Sequence, residues 1–147
     1  IIPNVLELSF GVDRNIWALL DIFYKKEKER NLFNFPNNLA PIQVAIFPLI
    51  NKDKLPEKAV SIYEDIKNDF KTFYDNKGSI GKMYRRMDEI GCLLMITIDH
   101  QTLKDKTVTL RDKNTMKQVR VKISDLKEKI NKFLSGEKLE KLGKLVK

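Results

Sequence analysis

The chain has 147 residues, 42% of them hydrophobic and 33% charged, with five prolines and six glycines. That is enough for one ordinary domain with an appendage, and it excludes disorder and low complexity. Lys and Arg outnumber Asp and Glu by 28 to 20, which suits a polyanion such as nucleic acid, although a solvated lysine-rich surface accounts for the same excess.

In chain order, the opening IIPNVLEL has neither an initiating Met nor a signal-peptide pattern and reads as an internal stretch of a longer protein. Ile2 to Phe10 is expected to be a short strand, and Gly11 supplies a strand-to-helix turn. Asp13 can cap the helix that follows, with Ile16, Leu19, Leu20 and Phe23 at helical spacing and Trp17 and Tyr24 widening the stripe. Charged and turn-forming residues from Lys25 to Pro41 mark a linker. The run IQVAIFPLI predicts a strand buried on both faces. A helix with an early proline is expected from Pro56 to about Lys67, burying Ala59, Val60, Tyr63 and Ile66, then a strand in FKTFYD. The next helix carries Ile80, Met83, Tyr84, Met87 and Ile90 on one face, with Ser79 as cap and Gly91 as stop.

CLLMITID is another buried strand, and its Cys92 reads as a buried thiol in a reducing compartment. The lone His100 and the absence of a Cys cluster leave no metal site. TVTLRD and QVRVKI alternate as a strand pair. A last helix is expected from about Ser124, carrying Leu126, Ile130, Phe133 and Leu134, with a loosely attached basic tail. No apolar run approaches the roughly 20 residues that cross a membrane. Helices alternating with buried strands predict an α/β fold, a mixed sheet flanked by helices.

Three places carry candidate chemistry. If Val108 and Leu110 face the core, then Thr107, Thr109 and Arg111 share the other face. Val119 and Val121 likewise put Gln118, Arg120 and Lys122 outward. Such a strip can hydrogen-bond bases or phosphates, and it also describes the ordinary wet face of an antiparallel pair. Lys82, Arg85 and Arg86 stand in the first two turns of the Ser79 helix, against its dipole. That placement favours a polyanion, or a solvated face partly neutralised by Asp88 and Glu89. Arg14, in a first helical turn, can clamp a phosphate. On the residues alone, Arg14 paired with an acid is the simpler reading. Glu7 and Ser9 lie on one face of the preceding segment and suit an ammonium group.

ELSFGVDR followed by an apolar helix resembles motif 3 of the class II aminoacyl-tRNA synthetases. With APIQVAIFPLI, SIGKMYRRMDEIG and TVTLRDKNTMKQVRV in order, the chain from Ile2 to about Phe133 resembles glycyl-tRNA synthetases of the archaeal and eukaryotic type. The resemblance implies that residues 1–24 end the catalytic domain, that 25–41 link, and that 42–147 form an anticodon-binding domain with a mixed five-stranded sheet. It assigns ATP to Arg14 and Gly11, with Arg14 as the catalytic arginine, and the glycine ammonium to Glu7 and Ser9. Leu8 stands where the family usually has proline. The anticodon loop of tRNA-Gly, with its two cytosines, falls to Arg111 first, then Arg86, Asp88, Glu89 and Arg120. The resemblance further implies a cytoplasmic homodimeric parent that uses ATP with Mg2+, and a portion that is inactive alone and binds no cofactor by itself. The alternative is a non-catalytic nucleic-acid-binding module like those in polymerase accessory subunits; Glu7, Ser9 and Arg14 together argue against it.

Overall fold

The computed structural model describes residues 3–146. It opens with an unpaired stretch and helix α1 (Val12–Phe23), followed by a hairpin of β1 (Tyr24–Lys26) and β2 (Asn31–Phe33). The rest is one sheet domain: β3 (Val44–Pro48), α2 (Leu55–Ile66), β4 (Thr72–Tyr74), α3 (Ile80–Ile90), β5 (Leu94–Ile98), α4 (His100–Asp105), β6 (Thr107–Asp112), β7 (Gln118–Lys122), a 3-10 turn at Ile123–Asp125 leading into α5 (Leu126–Leu134), a second 3-10 turn at Leu139–Lys141, and β8 (Lys144–Leu145). The strand order is β4-β3-β5-β6-β7-β8. Strand β3 runs parallel to both β4 and β5, while β5 to β8 are successively antiparallel.

Alternation along the strands builds a core on each face. Val44, Ile46, Leu94, Ile96, Ile98, Val108, Leu110, Val119 and Val121 pack under α2 and α5. On the other face Ala45, Phe47 and Met95 meet Met83 and Met87 of α3, with Cys92 beside them. Burial pushes the Cys92 thiol up to about 12, so it is an unreactive apolar group at neutral pH. Helix α2 buries Leu55, Ala59, Ile62 and Ile66. Val60, expected inside, is exposed, because the stripe starts at Leu55 rather than Pro56.

The expected mixed sheet is present with six strands rather than five. The sixth comes from the tail, where Val119 pairs with Leu145 and Arg120 with Lys144. Gly143 permits that approach, since a Cβ there would lie 2.5 Å from the Arg120 carbonyl oxygen. The strand expected over residues 2–10 is not formed between Pro3 and Phe10, and Ile2 lies outside the described residues. A strand exists only through pairing, and no described segment pairs with this stretch. Helix α1 forms where expected, yet none of its residues is buried and Trp17 is 75% exposed. Residues 25–41, read as a linker, carry most of the β1–β2 hairpin. No helix is long and apolar enough to cross a membrane among the described residues.

Candidate nucleic-acid interface

Helix α3 covers β3 and β5 on its face of the sheet, and α4 contacts β6 at one end. Beyond α3, β6 and β7 offer a strip of polar side chains. Thr109 sits opposite Arg120, and Arg111 opposite Gln118. Gln118 and Arg120 are half-buried and Lys122 is exposed.

Arg120 is the centre of this strip. Its Nη1 donates to Asp99 Oδ1 at 3.3 Å and to Thr107 Oγ1 at 3.0 Å. Its Nη2 donates to Asp99 Oδ2 and to Thr109 Oγ1, the latter at 3.2 Å. Four donors fix the guanidinium in place and leave its edge at Nε without a hydrogen bond among the described residues. Asp99 also caps α4, accepting from the Thr102 amide at 3.0 Å. Burial pushes the Asp99 carboxyl upward, but the hydrogen bonds from Arg120 and the Thr102 amide outweigh it and hold it below the usual carboxylate value. A charged pair on rigid elements is therefore presented at the rim of the sheet.

Arg111 lies on the face that alternation assigns it, but it is 5% exposed and committed. Nη1 and Nη2 donate to the two oxygens of Asp88 at 2.8 and 3.0 Å, and the guanidinium lies 4.8 Å from the centre of the Tyr84 ring. Tyr84 in turn shares a hydrogen bond with Thr97. The physical reason is α3: its inner face carries Tyr84 and Asp88 one turn apart and closes over β6, so this part of the strip is not wet. Asp88, read as an outward acid neutralising α3, is 2% exposed and points inward.

A second arginine reaches the same carboxylate from the hairpin. Arg30 Nη1 donates to Asp88 Oδ2 at 2.9 Å and to the Lys113 carbonyl at 2.8 Å, while its Nε donates to Glu27 at 2.7 Å. Lys113, fully buried, donates from Nζ to the Phe33 carbonyl at 3.0 Å; burial pulls its pKa down. Sequence reasoning missed Arg30 and Lys113 because their partners are 58 to 83 positions away.

The other candidate residues are spread out. Arg86 is exposed and bridges Asp75 at 2.6 Å and the Lys77 carbonyl. Glu89 is exposed beside the hairpin residues Lys26–Asn31. Arg85 donates to the Glu29 carbonyl. At the N-terminal end Ser9 Oγ donates to Glu7 Oε1 at 3.2 Å. The Arg14 side chain folds against Gly11, whose Cβ position lies 3.7 Å from Arg14 Cδ. Arg14 has no carboxylate partner among the described residues. The structure thus joins Asp88 with Arg111, Glu7 with Ser9, and Gly11 with Arg14, and sets Arg120, Arg86 and Glu89 apart.

An α/β sheet flanked by helices, with a half-open basic strip on its antiparallel strands, defines a class of domain suited to holding a polyanion. A family profile described as an anticodon binding domain matches residues 43–133. The chain belongs to that family. It is 44% identical over 149 aligned residues to the glycine–tRNA ligase of Aeropyrum pernix, covering 99% of this chain and 26% of that protein. It is 44% identical over 127 residues to the glycine–tRNA ligase of Methanocaldococcus jannaschii, covering 86% and 22%. Against the glycine–tRNA ligase of Rhodopirellula baltica it is 42% identical over 138 residues, covering 88% and 26%. The chain spans about a quarter of the length of these curated relatives.

Proposed function

We propose that the chain is the C-terminal portion of a glycine–tRNA ligase, in which residues 42–147 hold the anticodon loop of tRNA-Gly and residues 1–24 complete the site that joins glycine to ATP. The observation that carries this reading is the identity with glycine–tRNA ligases over 99% of the chain, which runs through both segments. The Glu7–Ser9 contact supports an ammonium site, and Arg14, without a carboxylate partner among the described residues, supports a phosphate clamp. In this reading Arg14 stabilises charge on the transferring adenylate. The exposed apolar face of α1, with Val12, Ile16 and Leu20, is then covered by the rest of the catalytic domain in a cytoplasmic, homodimeric parent. This portion alone is proposed to be inactive. Glycine-dependent exchange of pyrophosphate into ATP is expected at the blank rate, and exchange above blank overturns that statement.

Within the sheet domain, Arg120 is the base-facing arginine. It is half-buried, held rigid and open at its Nε edge, whereas Arg111 and Asp88 brace the strip from beneath. Bases splayed from a loop are the part of an RNA most open to such readout. The test is equilibrium binding of tRNA-Gly against the same tRNA with both anticodon cytosines changed, at fixed salt. Discrimination of about 1–3 kcal/mol per altered base is expected, and Arg120→Ala is expected to remove most of it. Equal, salt-sensitive binding of both tRNAs by the unaltered chain overturns base readout by this sheet.

A further inference from the structure

A recess of about 310 Å3 opens where the strip ends, lined by Lys58, Asp105, Lys106, Lys122, Ile123 and Ser124. Its three ammonium groups come from separate elements. Lys58 stands on α2, Lys106 joins α4 to β6, and Lys122 ends β7. None of the three has a carboxylate within ion-pair distance among the described residues. The one acid in the recess is already engaged. Asp105 accepts from the Thr107 amide at 3.0 Å and hydroxyl at 2.5 Å, and from Gln101 at 2.8 Å. Those bonds, the Thr107 hydroxyl first and Gln101 next, hold its carboxyl below the ordinary value.

The recess is also built to a fixed shape. Lys106 is a non-glycine residue in the left-handed region, at φ 56° and ψ 36°, a conformation that costs free energy and persists where the surroundings impose it. Its carbonyl accepts from the Ile123 amide at 2.9 Å, which ties the end of α4 to the start of the turn before α5. Lys122 pairs with Thr107 across the hairpin and shares a face with Arg120 two positions earlier. Two strand residues span roughly 7 Å, so a strand of nucleic acid whose base lies against Arg120 meets Lys122 next, at the end of the sheet where Lys58 and Lys106 line the same recess. Ammonium groups have three donors and no acceptor, so they suit phosphate oxygens and carry no base information.

We propose that this recess is a phosphate-binding subsite for the backbone of the RNA strand whose bases rest on the strip around Arg120. The proposal rests on the reading of the chain as a tRNA-binding portion. It assigns Lys58, Lys106 and Lys122 to backbone contact and leaves base choice to Arg120.

The experiment compares the salt dependence of tRNA-Gly binding for the unaltered chain, for Lys58→Gln with Lys122→Gln, and for Lys138→Gln with Lys141→Gln. The control pair removes the same charge at the other end of the sheet, beside Glu140, which Lys117 contacts at the start of β7. Each lost phosphate contact lowers the slope of log K against log salt by about 0.7–0.9. The recess pair is therefore expected to lower it by roughly 1.5 and the control by far less, with anticodon discrimination unchanged in both. Equal slopes for the two pairs, or no change in the recess pair, overturn the subsite. If the unaltered chain binds without discriminating anticodons while the recess pair still loses slope, the base-reading strip fails and the subsite stands. If the unaltered chain binds no tRNA, both fail.

Discussion

Replacing Asp88 with alanine is expected to cost the fold about 3–5 kcal/mol, the range for breaking a buried ion pair by removing one partner. The arrangement places it at the high end of what single substitutions do. One carboxylate, 2% exposed, accepts three hydrogen bonds from two guanidinium groups whose side chains are themselves almost fully buried. Without it, Arg111 keeps only its contacts with Tyr84 and the Met95 sulfur and loses its carboxylate partner, while Arg30 retains the carboxylate of Glu27. Arg30→Met is expected to cost less, because Asp88 keeps both bonds from Arg111 and an apolar stem replaces the buried charge. Denaturant unfolding of the three chains measures this directly, and for a domain of this size each kcal/mol moves Tm by a few degrees. An Asp88→Ala loss below about 1 kcal/mol would mean that water reaches both arginines, and the buried network described above would then be wrong.

That network also shows where sequence reasoning stops. Alternation in TVTLRD and QVRVKI gave the faces correctly, and Val108, Leu110, Val119 and Val121 all point into the core as expected. Periodicity assigns a residue to a face, but not what covers that face. Arg111 therefore reads as exposed until α3 is placed above it with Tyr84 and Asp88 at one-turn spacing. The hairpin after α1 has the same cause. KKEKER looks like a solvated charge run, and its strands are stabilised by the Tyr24–Phe33 edge contact and by Arg30 bonding residues far along the chain. Helix α4 could have been found. Asp99 and Thr102 form a reciprocal cap, and an Asp or Ser followed three residues later by a polar side chain is a local start signal. The recess lysines carried no local signal, because their meeting depends on the order in which the strands pair.

Gly91→Ala is expected to be the next most damaging small change, and two separable costs add there. Gly91 ends α3 at φ 86°, where an L-residue costs roughly 1–2 kcal/mol. A Cβ at that position would also lie 2.7 Å from Phe35 Cδ2 and 2.8 Å from the Phe33 carbonyl oxygen. Displacing backbone and a packed ring costs typically another 1–3 kcal/mol. Gly136 separates the two terms, because its φ is 98° but nothing lies within 4 Å of its Cβ position. Gly136→Ala is thus expected to show the conformational cost alone, and Gly91→Ala to exceed it by the packing cost. The excess should have a local signature. Phe33 and Phe35 stack on each other, Phe35 also meets Phe23 at the end of α1, and the Phe33 carbonyl accepts from Lys113. A Cβ that pushes Phe33 outward loosens the hairpin from α3 and with it the Arg30–Asp88 contact. Limited proteolysis in Lys25–Lys28 should therefore speed up in Gly91→Ala and stay unchanged in Gly136→Ala. Equal stability losses and equal cleavage in the two variants would mean that the hairpin yields freely, and that residues 25–41 behave as the linker their composition suggests.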